Sequence, residues 1–500
     1  MPKTFSHEFN TPSYKGKSSF NTGLFIDGKF VDGSTGKHID VVNPTNGKVI
    51  TQISEGTSKD VDIAVAAAQR AFDTTWGLNA PGIQRSRLLT KLSQLMERDQ
   101  QELAALEALD NGKTFSWAMN ADTVAAIETI RYYAGWADKI HGQVQETDEN
   151  KLTYTRHEPI GVVGQIIPWN FPLLMFAWKI GPALATGNAI VIKPSEFTPL
   201  TAVRMCSLIQ EAGFPPGVVN VVTGYGQTVG EAIAMHMGIE KVAFTGSTLT
   251  GRKIMEYASK SNLKKITLEL GGKSPNIIFN DADVDQAVAW AAHGLFWNHG
   301  QCCCAGTRIF VQSGIYDEFL KKFTEKSKAI KVGDPFAPDT NQGPQVSQIQ
   351  YDRIMGYIES GKKQGAKVHL GGDRAGKEGY FIQPTIFTDT KPDMKIVQEE
   401  IFGPVGVVIK FEDEEDIIRQ ANDTMYGLAA AVFSRDISRA LSVAHKLKAG
   451  TTWVNCYNML HANVPFGGFK QSGIGRELGE YALENYTNVK AVHVNIGIKM

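Results

Sequence analysis

The sequence lacks an excess of charge of either sign. Its 51 Lys and Arg residues nearly balance its 52 Asp and Glu residues, which leaves a formal net charge of −1 at pH 7. A protein without a positive field has little attraction for a phosphate backbone or for an anionic membrane surface. We therefore expect neither a nucleic acid nor a membrane as a partner.

Cysteine is scarce, and its spacing is unusual. There are only 5 cysteines, and Cys302, Cys303 and Cys304 are consecutive. This spacing suits neither a disulfide framework nor a zinc site, so we expect reduced thiols and no metal. Residues 1–60 contain no Arg and no apolar run, which argues against a transit peptide and a secretory signal. Together these absences predict a cytoplasmic protein.

Long apolar runs are also missing. The longest uncharged segment, residues 159–178, has the length of a membrane span, but it contains three prolines together with Gln165 and Asn170. Prolines interrupt a helix, and buried amides are costly in lipid. This segment is predicted to form a strand, a loop and the start of a helix.

The chain has enough length and apolar content for more than one domain. It has 500 residues, of which 42% are hydrophobic, and single cores stop growing at about 250–300 residues. Residues 61–139 show apolar positions at helical spacing, as in Leu88, Leu89, Leu92, Leu95 and Met96. These positions are interpreted as core faces of helices.

After Tyr154 the pattern changes to short β-branched runs that alternate with helical stretches. The predicted strands cover residues 161–167, 189–193, 218–222 and 241–244. Alternation of this kind is typical of a doubly wound parallel sheet, in an α/β fold.

Local signals agree with this interpretation. Thr198 is expected as the N-cap of the helix that follows the second strand, Pro199 as its first residue and Gly213 as its stop.

A second α/β block is predicted from about Gly272 to Asn455. It contains a helix over residues 284–296 and a strand over residues 308–312. Residues 488–496 form a lone predicted strand, which is expected to pair elsewhere because nothing after it can pair with it.

The three cysteines lie in a predicted loop between a helix and a strand, where a side chain can be presented to a cleft. Three consecutive side chains are not expected to face the same way, so at most one or two should reach such a cleft. The alternative is that all three are small core residues, which is common for buried cysteine. The pattern alone does not choose among them.

Two further residues are candidates for chemistry. Glu269 ends a predicted strand and precedes a glycine pair that permits close backbone approach, although a glutamate there can equally be a solvated surface residue. Asn170 lies between Pro168 and Pro172, where the amide can donate to a ligand or can serve its own turn.

Residues 244–251 follow a strand and open a helix, an arrangement that receives a pyrophosphate. Their glycine spacing is G-x-x-x-x-G and differs from the usual dinucleotide fingerprint G-x-G-x-x-G.

Several sequence motifs resemble those of the aldehyde dehydrogenase superfamily and occur in the same order along the chain. The sequence most resembles the broad-specificity tetrameric cytosolic and mitochondrial members of that superfamily. Residues 296–305 resemble the cysteine motif, residues 268–275 the glutamate motif, and residues 168–172 the segment with the oxyanion amide. The resemblance implies Cys303 as nucleophile, Glu269 as general base and Asn170 as oxyanion donor.

The same resemblance implies a cofactor, NAD, in a Rossmann-like domain. Glu196 is expected to hold the adenosine ribose, and its carboxylate would repel a 2′-phosphate, which favours NAD over NADP. The implied cofactor residues are Ile166, Ile167, Pro168, Trp169, Lys193, Ser195, Glu196, Gly226, Gly230, Phe244, Thr245, Gly246, Ser247, Gly251, Leu270, Gln350, Glu400 and Phe402.

The substrate implied by the resemblance is a small aldehyde. An apolar and largely aromatic channel is expected, which suits unbranched or aromatic aldehydes better than charged ones. Glu477 and Lys179 match positions linked to proton passage from the base. The implied channel residues are Phe171, Met175, Trp178, Trp297, Leu460 and Phe466.

The resemblance also implies a division of the chain. Residues 1–139 and 159–270 are expected to form the NAD-binding domain, and residues 271–475 the catalytic domain. Residues 140–158 and 486–500 are expected to form a small β oligomerisation element, in a homodimer or a homotetramer.

The implied activity is an NAD-dependent oxidoreductase that converts aldehydes into carboxylic acids through a thioester on Cys303. One alternative is a dehydrogenase that transfers the acyl group to another acceptor, and Glu269 argues against it because such enzymes need no general base. Another is a catalytically silent, crystallin-like protein, which would be expected to lose catalytic residues that are all present here.

Overall fold

Short runs of β-branched and aliphatic residues form most strands of the computed structural model, which describes residues 2–500. The strands, in chain order, are β1 (Thr4–Asn10), β2 (Lys15–Asn21), β3 (Leu24–Ile26), β4 (Lys29–Val31), β5 (His38–Asn43), β6 (Lys48–Ser54), β7 (Val144–Asp148), β8 (Lys151–Pro159), β9 (Val162–Ile166), β10 (Ala189–Lys193), β11 (Val219–Val221), β12 (Lys241–Thr245), β13 (Lys265–Glu269), β14 (Pro275–Ile278), β15 (Arg308–Gln312), β16 (Lys367–Leu370), β17 (Thr385–Thr388), β18 (Val405–Phe411), β19 (Ala429–Phe433), β20 (Thr451–Val454), β21 (Gly473–Ile474) and β22 (Thr487–Asn495).

Most of the longer helices are amphipathic and cover the sheets. The helices, in chain order, are α1 (Ser58–Thr74), α2 (Gly82–Arg98), α3 (Gln100–Asp110), α4 (Phe115–Trp117), α5 (Thr123–Trp136), α6 (Pro172–Ala185), α7 (Leu200–Ala212), α8 (Glu231–Met235), α9 (Thr248–Lys260), α10 (Val284–Phe296), α11 (Tyr316–Lys328), α12 (Gln348–Lys363), α13 (Lys395–Gln398), α14 (Glu414–Asn422), α15 (Ile437–Lys446) and α16 (Tyr481–Glu484). Within residues 2–500, every helix is too short or too polar to cross a bilayer.

The first sheet has 8 strands in the order β21-β13-β12-β9-β10-β11-β3-β4. Strands β13, β12, β9, β10 and β11 are parallel, and the edges add antiparallel β21, β3 and β4. Every residue of β9 and β10 is buried, because helices cover both faces of the sheet. This is the predicted doubly wound arrangement, and the α/β fold is confirmed.

The second sheet has 7 strands in the order β16-β17-β18-β15-β14-β19-β20. Only β16 is antiparallel to its neighbour, and the remaining pairs are parallel. This sheet is the predicted second α/β block. The loop with the three cysteines connects α10 to β15 and so joins this block to the cleft described below.

The terminal strand β22 pairs antiparallel with β8, and β8 pairs with β7. The prediction that the lone strand finds a distant partner is therefore confirmed, and the register starts at Thr487 opposite Pro159. The resulting sheet is separate from the two large ones.

One local prediction is wrong at the start of α7. The helix begins at Leu200, with Pro199 in the N-cap position, and Thr198 does not cap it. The hydroxyl of Thr198 instead donates to the carbonyl of Trp169, and Asp110 accepts the Leu200 N–H at 2.9 Å. A carboxylate from a distant helix thus replaces the local cap. Gly213 ends the helix in the left-handed region, as predicted.

Candidate active site

The carboxyl ends of the parallel strands β9, β12 and β13 face the cysteine loop across a cleft. Open α/β sheets bind ligands at this end of their strands. Cys303, Glu269 and Asn170 all line the cleft, although they come from three distant parts of the chain. The structure therefore brings together the three residues predicted for catalysis.

The cysteine loop begins with three residues in the left-handed region. The φ angles are 47° for Asn298, 60° for His299 and 72° for Gly300. A Cβ atom on Gly300 would lie 1.9 Å from the carbonyl oxygen of Gly403, so only glycine fits there. This turn positions the following cysteines on the side of the loop that faces the first sheet.

Asn298 is a structural residue that sequence reasoning missed. Its side-chain amide donates to the carbonyls of Asn170, at 2.8 Å, and Gln301, at 3.1 Å. It therefore ties the cysteine loop to the segment on the opposite wall. Asparagine tolerates the left-handed conformation better than most residues, but nothing in the sequence marks this position as left-handed.

All three cysteines line the cleft, so the expectation that at most one or two would do so is wrong. The three residues occupy a tight turn, where successive side chains do not alternate as they do in a strand. Cys302 and Cys304 are nevertheless buried, and Cys303 is half-buried. Cys303 is thus the most accessible of the three thiols.

The three thiols interact with each other. The sulfur atoms of Cys302 and Cys304 are 3.5 Å apart, and Cys304 donates to the side-chain oxygen of Asn458 at 3.2 Å. Hydrogen bonds from the thiols of Cys303 and Cys304 lower the pKa of Cys302. The hydrogen bonds to Cys302 and Cys304, together with burial, raise the pKa of Cys303. Within the cluster, the tendency to ionise is therefore shifted towards Cys302.

Asn170 directs its side-chain amide at the cysteine loop. The amide donates to the carbonyl of Gln301 at 3.1 Å, and the residue is buried. Gln301 immediately precedes the three cysteines, so the amide lies beside the backbone that carries them. Of the two interpretations weighed for Asn170, this geometry favours a donor to the cleft over a residue that serves its own turn.

Glu269 lies at the carboxyl end of β13 and is only 3% exposed. One of its carboxylate oxygens has no hydrogen-bond partner among residues 2–500. Burial raises the pKa of Glu269 well above its usual value; Glu477 adds to the rise, and Lys179 opposes it. A buried carboxyl of this kind can hold or accept a proton near neutral pH.

Lys179 and Glu477 form a buried ion pair behind the cleft. The ammonium of Lys179 lies 2.5 Å from Glu477 and donates to the hydroxyl of Thr245 at 2.8 Å. Thr245 itself lines the cleft and is the β-sheet partner of Glu269. The two residues matched to proton passage are therefore paired with each other, one strand away from the candidate base.

The turn after β12 lets a ligand approach the backbone closely. Ser247 caps α9 by accepting the N–H of Thr250 at 3.2 Å, and a Cβ on Gly246 would lie 2.6 Å from the ring of Phe244. A Cβ on Gly251 would lie 2.6 Å from Leu270. The first-turn N–H groups of α9 therefore remain close to the cleft, as an anion site requires.

A second group of predicted cofactor residues lies beside the ends of β9 and β10. Lys193 pairs with Glu196 at 3.1 Å, and the N–H of Ile167 donates to the carbonyl of Lys193. A Cβ on Gly230 would lie 3.8 Å from Lys193 and 3.9 Å from Ile166. The predicted cofactor residues outside the lining of the cleft are Ile166, Ile167, Lys193, Ser195, Glu196, Gly226, Gly230, Phe244 and Gly251.

Glu400 reaches the cleft from the second block. Its carboxylate accepts the N–H of Gly272 at 3.0 Å, and burial raises its pKa to about 7. A Cβ on Gly271 would lie 2.4 Å from this carboxylate, so the glycine at this position leaves the space that the Glu400 side chain occupies. The side chain is therefore placed where it can accept hydrogen bonds from hydroxyl groups of a ligand.

Phe402 lies near Glu400 with its backbone in the left-handed region, at φ 62°. Gln350 donates to its carbonyl at 2.9 Å, and its ring packs edge-on against Trp169 with centroids 5.2 Å apart. The ring of Phe402 thus forms an apolar surface in the cleft.

The predicted channel residues form one aromatic wall, and all six line the cleft. The rings of Trp178 and Phe466 are 5.5 Å apart, and those of Phe171 and Trp297 are 6.2 Å apart. Sequence reasoning did not single out six further lining residues, although three of them lie within the glutamate and cysteine motifs. These are Leu174, Gly271, Cys302, Cys304, Arg353 and Asn458.

Comparison with known proteins extends these observations. The model of the aldehyde dehydrogenase family matches residues 30–492. An aldehyde dehydrogenase from Agaricus bisporus is 72% identical over 500 residues, which is 100% of both chains. One from Aspergillus niger is 62% identical over 95% of each chain.

Solved structures agree with the sequence relatives. The aldehyde dehydrogenase from Bacillus cereus in its NAD+ complex is 51% identical, with a TM-score of 0.94, over 95% of this chain and 97% of that one. A betaine aldehyde dehydrogenase from Staphylococcus aureus is 42% identical, also with a TM-score of 0.94, over 96% of this chain and 98% of that one. The chain therefore belongs to the aldehyde dehydrogenase family.

Proposed function

We propose that this protein oxidises an aldehyde to a carboxylic acid with NAD and water, through a thioester on Cys303. The observation that carries the proposal is the meeting of Cys303, Glu269 and Asn170 in one cleft. A soft nucleophile, a donor for a developing negative charge and a buried carboxyl are the groups that this two-stage reaction needs.

The residues around the cleft fit NAD. The first turn of α9, opened by Gly246 and Ser247, offers backbone N–H groups to a pyrophosphate. Glu196 and Lys193 would hold the adenosine ribose, and Glu400 the nicotinamide ribose. A carboxylate at Glu196 favours NAD over NADP. When bound, NAD accepts the hydride that leaves the substrate carbon.

In the first stage, the thiolate of Cys303 attacks the aldehyde carbonyl and an alkoxide forms. The amide of Asn170 and the backbone N–H of Cys303 donate to this oxygen, and each such donor contributes about 3 kcal/mol. Collapse of the adduct expels the hydride and leaves an acyl thioester. Exposure supports Cys303 over its neighbours, because Cys302 and Cys304 are buried.

In the second stage, Glu269 takes a proton from a water molecule, which then attacks the thioester. The raised pKa of this buried carboxyl suits a base that works near neutral pH. Lys179 and Glu477 would carry the proton onward, since they form a buried pair adjacent to Glu269. Cys303 leaves as the thiolate, and the acid departs.

A dehydrogenase that transfers the acyl group to another acceptor is the main rival. Such an enzyme has no need for a base buried next to the thioester, so Glu269 favours hydrolysis. A catalytically silent member would be free to lose Cys303, Glu269 or Asn170, and none is lost.

The nucleophile is tested by comparing three variants, Cys302→Ala, Cys303→Ala and Cys304→Ala. NADH formation would be followed by absorbance with acetaldehyde and longer aldehydes, with NAD and NADP in parallel. We expect only Cys303→Ala to abolish turnover. Normal turnover in that variant would overturn the assignment, and loss in Cys302→Ala alone would move the nucleophile to Cys302.

We also propose that the first sheet belongs to the NAD-binding domain, the second to the catalytic domain, and the β22-β8-β7 sheet to a dimer or tetramer interface. Val144 and Val489 on that sheet are 75% and 63% exposed, which supports burial by another copy. Light scattering tests the assembly.

The five free cysteines support a reducing, cytoplasmic location.

A further inference from the structure

A buried polar group lies at the end of α3, behind the wall of the cleft that carries Asn170. We propose that Asn111 and Glu107 are positioning residues that fix the amide of Asn170 in the place where it can donate to the alkoxide. This inference rests on the proposed function, because it assigns the two residues a role through Asn170. Neither residue lines the cleft.

Asn111 holds the segment just before Asn170. Its side-chain amide donates to the carbonyl of Trp169 at 2.7 Å and lies 3.5 Å from the carbonyl of Asn170. Pro168 and Pro172 have no N–H to donate, so hydrogen bonds to backbone carbonyls are an important way to hold this segment in place. Thr198 adds a second, longer hydrogen bond to the same Trp169 carbonyl, at 3.2 Å.

Glu107 holds the segment just after Asn170. Its carboxylate accepts the N–H of Leu173 at 2.7 Å, in the first turn of α6. That N–H has no partner inside the helix, and a negative charge at a helix N-terminus is favourable. The start of α6 is therefore fixed to α3 through a buried carboxylate, which is 0% exposed.

Lys113 supplies the countercharge. Its ammonium lies 3.5 Å from the carboxylate of Glu107, contacts Asp122 and lies 4.6 Å from the centroid of the Phe171 ring. Burial lowers the pKa of Lys113, but the carboxylates of Asp122 and Glu107 outweigh this effect and leave it raised. Lys113 therefore places a positive charge beside the buried carboxylate of Glu107, which offsets part of the cost of burying it.

The two hydrogen bonds therefore flank Asn170, one at Trp169 and one at Leu173. A third contact, from Asn298 to the carbonyl of Asn170, fixes the same segment to the cysteine loop. Loss of the flanking contacts frees the amide to shift, and a misplacement of about 1 Å costs on the order of 10²-fold in rate.

The chain offers a matched control on the same turn of α3. Asp110 is buried and accepts a helix N–H, that of Leu200 at 2.9 Å, much as Glu107 accepts that of Leu173. Its partner begins α7 and lies outside the segment that carries Asn170. A variant of Asp110 thus removes a comparable contact without removing a hydrogen bond made to that segment.

The experiment compares Asn111→Ala, Glu107→Ala, Glu107→Gln and Asp110→Ala in the full chain. The rate of the first NADH burst reports acylation, protein fluorescence reports the NAD dissociation constant, and thermal unfolding reports stability. We expect Asn111→Ala and Glu107→Ala to slow the burst by about tenfold or more while NAD affinity changes by about threefold or less. Asp110→Ala should lose comparable stability and keep its burst rate.

Two further measurements separate positioning from general damage. Glu107→Gln keeps an acceptor for Leu173, so it should recover most of the burst rate that Glu107→Ala loses. The double variant Asn111→Ala with Asn170→Ala should be no slower than Asn170→Ala, because Asn111 acts through Asn170. If Asn111→Ala does not fold, the comparison of Glu107→Ala with Glu107→Gln serves as the test.

The outcomes are distinguishable. Suppose first that Asn170→Ala is itself slow. The inference would then be overturned, but not the oxyanion role of Asn170, by any of three results: a normal burst in Asn111→Ala, an additive loss in the double variant, or equal slowing in Asp110→Ala. A normal burst in Asn170→Ala would overturn the oxyanion role, and the inference with it.

Discussion

The ammonium of Lys179 lies 2.5 Å from the carboxylate of Glu477, and both are buried behind Glu269. The negative charge of Glu477 raises the pKa of Glu269, whereas the positive charge of Lys179 lowers it. Burial is the largest cause of the raised pKa of Glu269, and the two charges of the pair change it in opposite directions.

The first prediction separates the two stages of the reaction. Glu269→Gln keeps the shape of the side chain but cannot take a proton, so acylation should survive and hydrolysis should not. We expect a normal NADH burst followed by a steady rate reduced by about 10²-fold or more. Rapid mixing with absorbance detection measures both phases in one trace.

The pH dependence has a defined sign. Since burial raises the pKa of Glu269, the carboxyl is protonated over a wider range and its base form appears only as pH rises. The hydrolysis rate should therefore increase with pH through this raised pKa. Glu256→Gln, which changes an exposed ion pair, should show the wild-type profile. Unimpaired steady turnover in Glu269→Gln would remove its role as base.

The second prediction concerns Glu400 and cofactor binding. Its pKa of about 7 means that the carboxylate is ionised above pH 7 and protonated below it. The ionised form accepts hydrogen bonds from two ribose hydroxyls better than the protonated form, which uses one oxygen as a donor, so NAD affinity should weaken as pH falls through 7.

The test measures the NAD dissociation constant by protein fluorescence at several pH values. Glu400→Gln should bind more weakly at pH 8 and should lose the dependence near pH 7. The control is Glu399→Gln, which changes an adjacent exposed carboxylate that accepts the hydroxyl of Tyr357. An unchanged pH profile in Glu400→Gln would contradict a contact with the ribose.

The third prediction concerns the thiol cluster. The hydrogen bond with Cys302 is the largest cause of the raised pKa of Cys303. Cys302→Ala removes this partner, so the pKa of Cys303 should fall. The rate of Cys303 alkylation by iodoacetamide should then reach its midpoint at a lower pH than in the wild type.

Mass spectrometry of the labelled peptide identifies the cysteine that reacts. Cys456→Ala removes a half-buried thiol that does not line the cleft, so it should leave the profile unchanged. A midpoint that stays the same, or moves to higher pH, in Cys302→Ala would show that Cys302 does not suppress ionisation of Cys303.

Much of the fold could be predicted from local patterns. The strand Ala189–Lys193 and the helix Val284–Phe296 begin and end where the sequence predicted them. Both are bounded by clear changes in apolar periodicity. The cap of α7 could not be predicted, because Asp110 reaches Leu200 across 90 residues. Strand β21 likewise joins the first sheet only through a distant pairing with β13.

The candidate active site could likewise be predicted only in part from the sequence. Residue chemistry alone offered three equivalent cysteines, and the resemblance to a family chose Cys303. The turn through Asn298 and Gly300, which brings all three thiols to the cleft, depends on the carbonyl of Gly403 far along the chain. Such contacts leave no periodic trace in the sequence, so Asn298, Asn111 and Glu107 carried no signal as site residues.

The fourth prediction concerns which aldehydes fit the cleft. Trp297 lines the channel, and its ring stacks on Trp117 with centroids 5.7 Å apart and on His293 at 5.1 Å. Burial lowers the pKa of His293, so this histidine stays neutral near pH 7 and the stack remains apolar. We expect these rings to hold Trp297 in place and so to limit the width of a substrate.

Trp297→Ala should widen the channel and raise the kcat/KM for 2-naphthaldehyde relative to acetaldehyde by about tenfold, since even one methylene in a hydrophobic pocket is worth about 1–3 kcal/mol. Trp290→Ala is the matched control, because Trp290 packs on His293 at 5.6 Å but does not line the cleft. Steady-state kinetics on both aldehydes measures the ratio. An unchanged ratio in Trp297→Ala, or an equal change in Trp290→Ala, would show that Trp297 does not set substrate width.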